Sequence, residues 1–165
     1  MANTYTQLYI HLVFAVEHRD RLILPSFKDE LMKYTTGIIQ NKGNKLLAIN
    51  TMPDHCHIFI GMNPKNAISE LVRDIKISSG DFINYKKWLK GKFHWQEGYG
   101  AFSYSHSQID NVIKYILNQE KHHKQLSFKE EYKKILNAFN VEYHDTYLFK
   151  WFNDIEYKMN VKKNT

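Results

Sequence analysis

KLLAINTMPDHCHIFIG, residues 45–61, decides the architecture of this chain. Residues 45–52 are mostly apolar and extended in character. Pro53-Asp54 is a tight corner, and HCHIFIG returns as a second strand, so the stretch predicts a β-hairpin. Side chains alternate along a strand, which puts His55 and His57 on one face and Cys56, Ile58 and Ile60 on the other.

The neighbouring segments extend the pattern. QLYIHLVFAV, residues 7–16, is β-branched and aromatic and reads as a buried strand. Pro25 and Ser26 open a helix with Asp29 in its first turn. Its face is Phe27, Leu31, Tyr34 and Ile38, and Gly43 closes it. After the hairpin, Asn66 is placed to cap a second helix with the stripe Ile68, Leu71, Val72, Ile75 and Phe82. Residues 88–105 are aromatic and glycine-punctuated and end in a fourth strand. Ser107 is placed to cap a third helix, with Asp110 three residues on and the stripe Ile109, Val112, Ile113 and Ile116. A fourth helix covers about 127–138. The order β-α-β-β-α-β-α-α predicts an α+β protein. It has the ferredoxin-like (RRM-like) βαββαβ antiparallel sheet with helices on one face, followed by C-terminal helices. The expected extent is one domain over residues 1–151 and a basic polar tail over 152–165.

Composition narrows the class. The chain has 165 residues, enough for a core without staples. A single cysteine rules out an internal disulfide. A net charge of +6 favours a polyanionic partner such as nucleic acid. The N-terminal apolar run is broken by His11 and ends in charge, so neither a signal peptide nor a membrane span is expected, and the cytoplasm is the expected location.

Two imidazoles on one strand face, roughly 6–7 Å apart, can share a metal ion. A His-x-His pair alone is equally compatible with a packed or solvated strand. NVIKYILNQEKHH, residues 111–123, supplies possible companions. Tyr115 and Gln119 lie one helical turn apart beside the apolar stripe, and His122 continues that row.

Taken in order, MPDHCHIFI, WQEGYGAFSYSHS, VIKYILNQEKHH and SFKEEYKKIL resemble the IS200/IS605-family transposases, the Y1 members of the HUH endonucleases. The resemblance runs over about residues 3–151, with Cys56 at the variable position between the histidines. It implies that His55, His57 and Gln119 bind a divalent metal, Mg²⁺ or Mn²⁺, and that the C-terminal helices carry the nucleophile, Tyr115. The implied reaction is attack of the phenol on a DNA phosphodiester, giving a 5′-phosphotyrosine and a free 3′-hydroxyl, without ATP. The implied partners are single-stranded DNA with hairpin ends and a second copy of the chain. Arg19, Arg21, Arg73, Lys76, Lys86 and Lys87 are candidate phosphate contacts, and Phe93, Trp95, Tyr99 and Phe102 are candidates for stacking on bases or for the core.

Two other readings use the same residues. One is a domesticated relative that processes chromosomal repeat hairpins by the same first step. The other is a non-catalytic RRM-like module, since GYGAFSY, residues 98–104, echoes an RNA-binding strand. That match fails where Glu97 and Ala101 stand in place of a cation and an aromatic.

Overall fold

The structure is a computed structural model that describes residues 3–17, 21–145 and 148. Strand β1 (Tyr9–Ala15) lies in the middle of an antiparallel sheet. It pairs with β3 (His55–Gly61) on one side and β4 (Gly100–Tyr104) on the other. β2 (Lys45–Met52) pairs with β3 across the Pro53-Asp54 corner, giving the order β2-β3-β1-β4. This is the arrangement the βαββαβ order predicts, and the two strands of the hairpin run as read. The basic tail, residues 152–165, lies outside the described residues.

The sheet is buried on both faces, which explains why β1, apart from His11, is a run of apolar and aromatic residues rather than an alternation. Leu12, Phe14, Cys56, Ile58 and Ile60 face α1 (Pro25–Asn41) and α2 (Ile68–Lys86), packing on Ile39, Leu71 and Ile75. Val13, Ala15, Ala48, Phe59 and Phe102 face the C-terminal helices. These are α3 (Ile109–Leu117), the single-turn α4 (Gln119–His122) and α5 (Phe128–Ala138). An RRM leaves this second face open to stack on bases. Here Val112, Ile116, Phe128 and Tyr132 cover it, which removes the RRM-like reading.

Several local expectations shift. The buried face of α1 is Phe27, Leu31, Thr35 and Ile39, and Tyr34 instead stacks on Phe82 at the surface. Leu24 precedes α1 without a side-chain cap, and Pro25 begins it through its fixed φ. Gly43 follows α1 with φ +82°, as a C-terminal glycine does. Asn66 does not cap α2; its Nδ2 donates to the Lys42 carbonyl (3.1 Å) and ties the start of α2 to the end of α1. Ser107 does not cap α3. Ser105 and Gln108 form a reciprocal capping box around a 3-10 turn, residues 106–108, that leads into it. Ser127 caps α5, accepting from the Glu130 amide at 3.2 Å. The helical row expected to run from Tyr115 through Gln119 to His122 breaks at Asn118 (φ −97°, ψ 21°). Among the described residues, no helix is long and apolar enough to cross a membrane.

Candidate metal centre and nucleophile

β3 delivers His55 and His57 to the face covered by the C-terminal helices, as strand alternation requires, and both are buried. The break at Asn118 redirects the chain so that Gln119 and His123 turn toward this pair. The first turn of α5 brings Glu131 down from above. Donor atoms of His55, His57, His123 and Glu131 all lie within 4.8 Å of one another.

Glu131 Oε1 is the common point. His57 Nε2 is 3.1 Å from it, His123 Nε2 3.3 Å and His55 Nε2 3.7 Å. Burial opposes a charge on Glu131. Hydrogen bonds from His123 and His57 outweigh that penalty and hold the carboxyl well below the usual carboxylate range. The helix start adds a favourable dipole. His123 Nε2 also donates to Gln119 Oε1 at 3.0 Å. Burial lowers the His123 pKa, but Glu131 more than offsets this and raises it.

Each strand histidine is held from behind. His55 Nδ1 lies 2.6 Å from Asp54 Oδ1, and the Asp54 carboxyl is held low, burial being outweighed by this bond. A carboxylate only accepts, so Nδ1 carries the proton and Nε2 presents a lone pair. That Nε2 has no hydrogen-bond partner among the described residues and faces Glu131 Oε1, another acceptor. Burial also keeps His55 neutral by lowering its pKa. His57 Nδ1 meets His11 Nε2 at 2.8 Å, and the two rings stack. Burial, then His57, pushes the His11 pKa well down. The His11–His57 bond survives either tautomer of His57, so its Nε2 can donate to Glu131 or offer a lone pair.

Buried lone pairs facing a carboxylate, backed by a carboxylate–histidine contact, form the surroundings that a divalent cation satisfies. The donor set fits a metal ion on this ground.

Tyr115 stands on α3 with its ring edge toward His57, centroids 6.1 Å apart. Its hydroxyl donates a hydrogen bond to Glu131 Oε2. Burial, then the Glu131 charge, pushes the phenol pKa up, so the resting tyrosine keeps its proton. A cleft of about 700 Å³, lined in part by Tyr104, Asn111, His122 and Lys134, reaches Tyr115 and Glu131 from outside.

The structure thus brings His55, His57 and Tyr115 together around Glu131. Gln119 is fully buried, and its amide oxygen meets the group through His123. His122 lies against the Tyr115 ring, 4.9 Å between centroids. His11, Asp54, His123 and Glu131 were missed as site residues. Glu131 had a signal: it falls within the stripe of Phe128, Tyr132 and Leu136, where an unpaired acid would be costly.

The basic candidates stand elsewhere. Arg73, Lys76 and Lys86 belong to α2, across the sheet from the site, and Lys87 follows that helix. The Lys76 ammonium donates to the Gln96 and Gly98 carbonyls (2.7 and 2.6 Å), so it secures a loop rather than standing free for phosphate. Arg73 pairs with Asp74 and Lys86 with Glu30. Arg21 and Lys87 are exposed, and Arg19 lies outside the described residues. Phe93 and Phe102 are core residues, and Trp95 donates to Ser79 Oγ, whereas Tyr99 is exposed.

Residues 4–119 match the family model described as Transposase IS200 like. The ISDra2 transposase TnpA of Deinococcus radiodurans is 28% identical over 118 residues, covering 68% of this chain and 84% of that protein. A crystal structure of a Deinococcus radiodurans R1 protein assigned as a transposase superposes with a TM-score of 0.56 at 25% identity. That match covers 72% of this chain and 95% of that one. A REP-associated tyrosine transposase bound to a REP hairpin shares the fold, with a TM-score of 0.57 at 15% identity over 76% of this chain and 74% of its own.

Proposed function

The chain belongs to the IS200-like transposase family, and from that premise we propose that it cuts and rejoins single-stranded DNA with Tyr115 as nucleophile beside a metal pair, His55 and His57. The observation that carries this reading is the bridging carboxylate. Tyr115 and His57 meet on the two oxygens of Glu131 within a single chain.

A divalent ion, Mg²⁺ or Mn²⁺, held on this pair (with Gln119 as the third ligand the resemblance implies) would supply Lewis-acid polarisation of the scissile phosphate. Tyr115 Oη, aimed before attack by its hydrogen bond to Glu131, attacks phosphorus and gives up its proton to solvent in the cleft. The Oη–P bond forms and the P–O3′ bond breaks. The products are a 5′-phosphotyrosine and a 3′-oxygen that takes a proton from solvent. The ester keeps the energy of the broken bond, so the 3′-hydroxyl of another strand can reverse the step and join without ATP. His122 and the cleft walls orient the phenol and limit the water that reaches the ester.

The similar fold of a REP-associated transposase bound to a hairpin supports DNA with hairpin ends as the partner. A homodimer would carry two such sites, and sedimentation of the full chain with and without hairpin DNA tests it.

The deciding experiment mixes the protein with 3′-labelled single-stranded oligonucleotides from the DNA flanking its gene, with and without Mg²⁺ or Mn²⁺. The expected result is a metal-dependent protein–DNA band on a denaturing gel that Tyr115→Phe abolishes while DNA-hairpin binding persists. An adduct formed by Tyr115→Phe assigns the nucleophile elsewhere, and cleavage without any adduct makes the protein a hydrolase.

A further inference from the structure

We propose that Glu131 is a further ligand of this metal site through Oε1 and, through Oε2, the residue that positions Tyr115 at it. The proposal rests on the reading of His55 and His57 as a metal pair. Glu131 stands twelve residues beyond Gln119, outside the segment matched by the family model, so that match does not assign it.

The geometry is specific. The three imidazole Nε2 atoms converge on Oε1 at 3.1, 3.3 and 3.7 Å, while Oε2 accepts from the Tyr115 hydroxyl. The carboxylate is almost fully buried at the start of α5. A buried acid without a cation is costly, and a carboxylate oxygen beside two imidazoles suits a hard divalent ion. His55 Nε2 and Glu131 Oε1 are two acceptors facing each other, and a cation between them satisfies both. His123 takes a different part. Its Nε2 donates to both Gln119 Oε1 and Glu131 Oε1, so it orders two acceptors rather than offering a lone pair. Gln119 and Glu131 are thereby fixed side by side, on the same edge of the histidine pair. One carboxylate then sets the distance between the metal site and the nucleophile, which loop or helix drift would otherwise leave loose.

The test is Mn²⁺ binding to the full chain without DNA, by calorimetry and by loss of the free-ion EPR signal, for wild type, His57→Ala, Glu131→Gln and Glu131→Asp. Glu131→Gln keeps the shape and loses the charge, and is expected to weaken binding at least about tenfold. Glu131→Asp restores a carboxylate and should bind more tightly than the Gln variant. At saturating Mn²⁺ the Asp variant should still form the Tyr115 adduct at least about tenfold more slowly, because a shorter arm cannot serve both sites. Wild-type Mn²⁺ affinity in Glu131→Gln, with His57→Ala defective, overturns the ligand role and leaves the histidine pair standing. Wild-type affinity in His57→Ala as well removes the pair itself. Equal loss in the Gln and Asp variants reduces Glu131 to a packing role, and a wild-type adduct rate in Glu131→Asp removes the positioning role.

Discussion

His55 takes its orientation from two neighbours, Asp54 and Phe128. Asp54 Oδ1 fixes Nδ1–H, and the opposite face of the ring lies flat on Phe128, centroids 3.9 Å apart. Such a contact aims the free nitrogen and makes it a better donor to a metal. Asp54→Ala should therefore lower Mn²⁺ affinity about 10–100-fold. Because Asp54 sits in a turn and is partly exposed, the fold should hold, with circular dichroism unchanged. Asp54→Asn keeps an acceptor and should lose less; calorimetry on both variants is the check. His55 and His57 were readable from strand alternation alone. His11 was not. It lies in the apolar run of β1, and its approach to His57 depends on the β1–β3 pairing, which places Val13 opposite His57 and Phe59 opposite His11. Glu131 matches its exposed neighbour Glu130 in type, and only its place in the stripe of Phe128, Tyr132 and Leu136 marks it in the sequence.

At the scale of elements, the β2–β3 hairpin was legible to the residue, because its strand pattern and its Pro-Asp corner are both local. The C-terminal helices were legible as helices but not as a broken pair. Nothing in ILNQEK is a glycine or a proline, so the break at Asn118 has no local punctuation. Tertiary contacts set it. Asn50 on β2 donates Nδ2 to the Ile116 carbonyl at 2.9 Å and so ties the end of α3 to the sheet. Asn50 is buried, and Asn50→Ala leaves that carbonyl short of a partner, at a cost of about 1–3 kcal/mol. The variant should melt earlier and form the tyrosine adduct more slowly, with a smaller loss of Mn²⁺ affinity than His57→Ala, because Tyr115 and Gln119 lie beside the tie and the histidine pair does not. Equal loss of metal binding would mean that Asn50 supports the sheet rather than the helix.

For the whole molecule, the buried histidines bias stability with pH. His11 and His55 have folded-state pKa values lowered from 6.5, mainly by burial, so the unfolded chain binds more protons than the folded one below that pH. Their contribution is present above about 6.5 and is lost as pH falls through it. Glu131, lowered from 4.5, adds a second loss below that value. His123 works the other way. Its raised pKa gives stability below 6.5 that is lost as pH rises through the folded value. With two fully buried histidines against one partly exposed one, the melting temperature should fall between pH 7 and 5 and more steeply below 4.5. Melts followed by circular dichroism across pH 4–8 check this, and a flat profile to pH 5 contradicts it. The sheet order and the layer assignment came from element order and alternation, which are global consequences of local patterns. The side-chain network between layers did not, because it joins residues brought together only by the closed fold.

Sheet order also has a consequence during synthesis. β1 emerges first from the ribosome, yet both its partners, β3 and β4, follow much later, so the middle of the sheet waits for distant chain. The β2–β3 hairpin closes locally and early, with His55 and His57 already side by side. Glu131 trails His57 by 74 residues. A nascent or prematurely terminated chain that stops before α5 thus carries the histidine pair, and even the tyrosine, without the carboxylate that joins them. Translation thus delivers the carboxylate after the residues it joins, and the proposed centre can assemble only once α5 has been made.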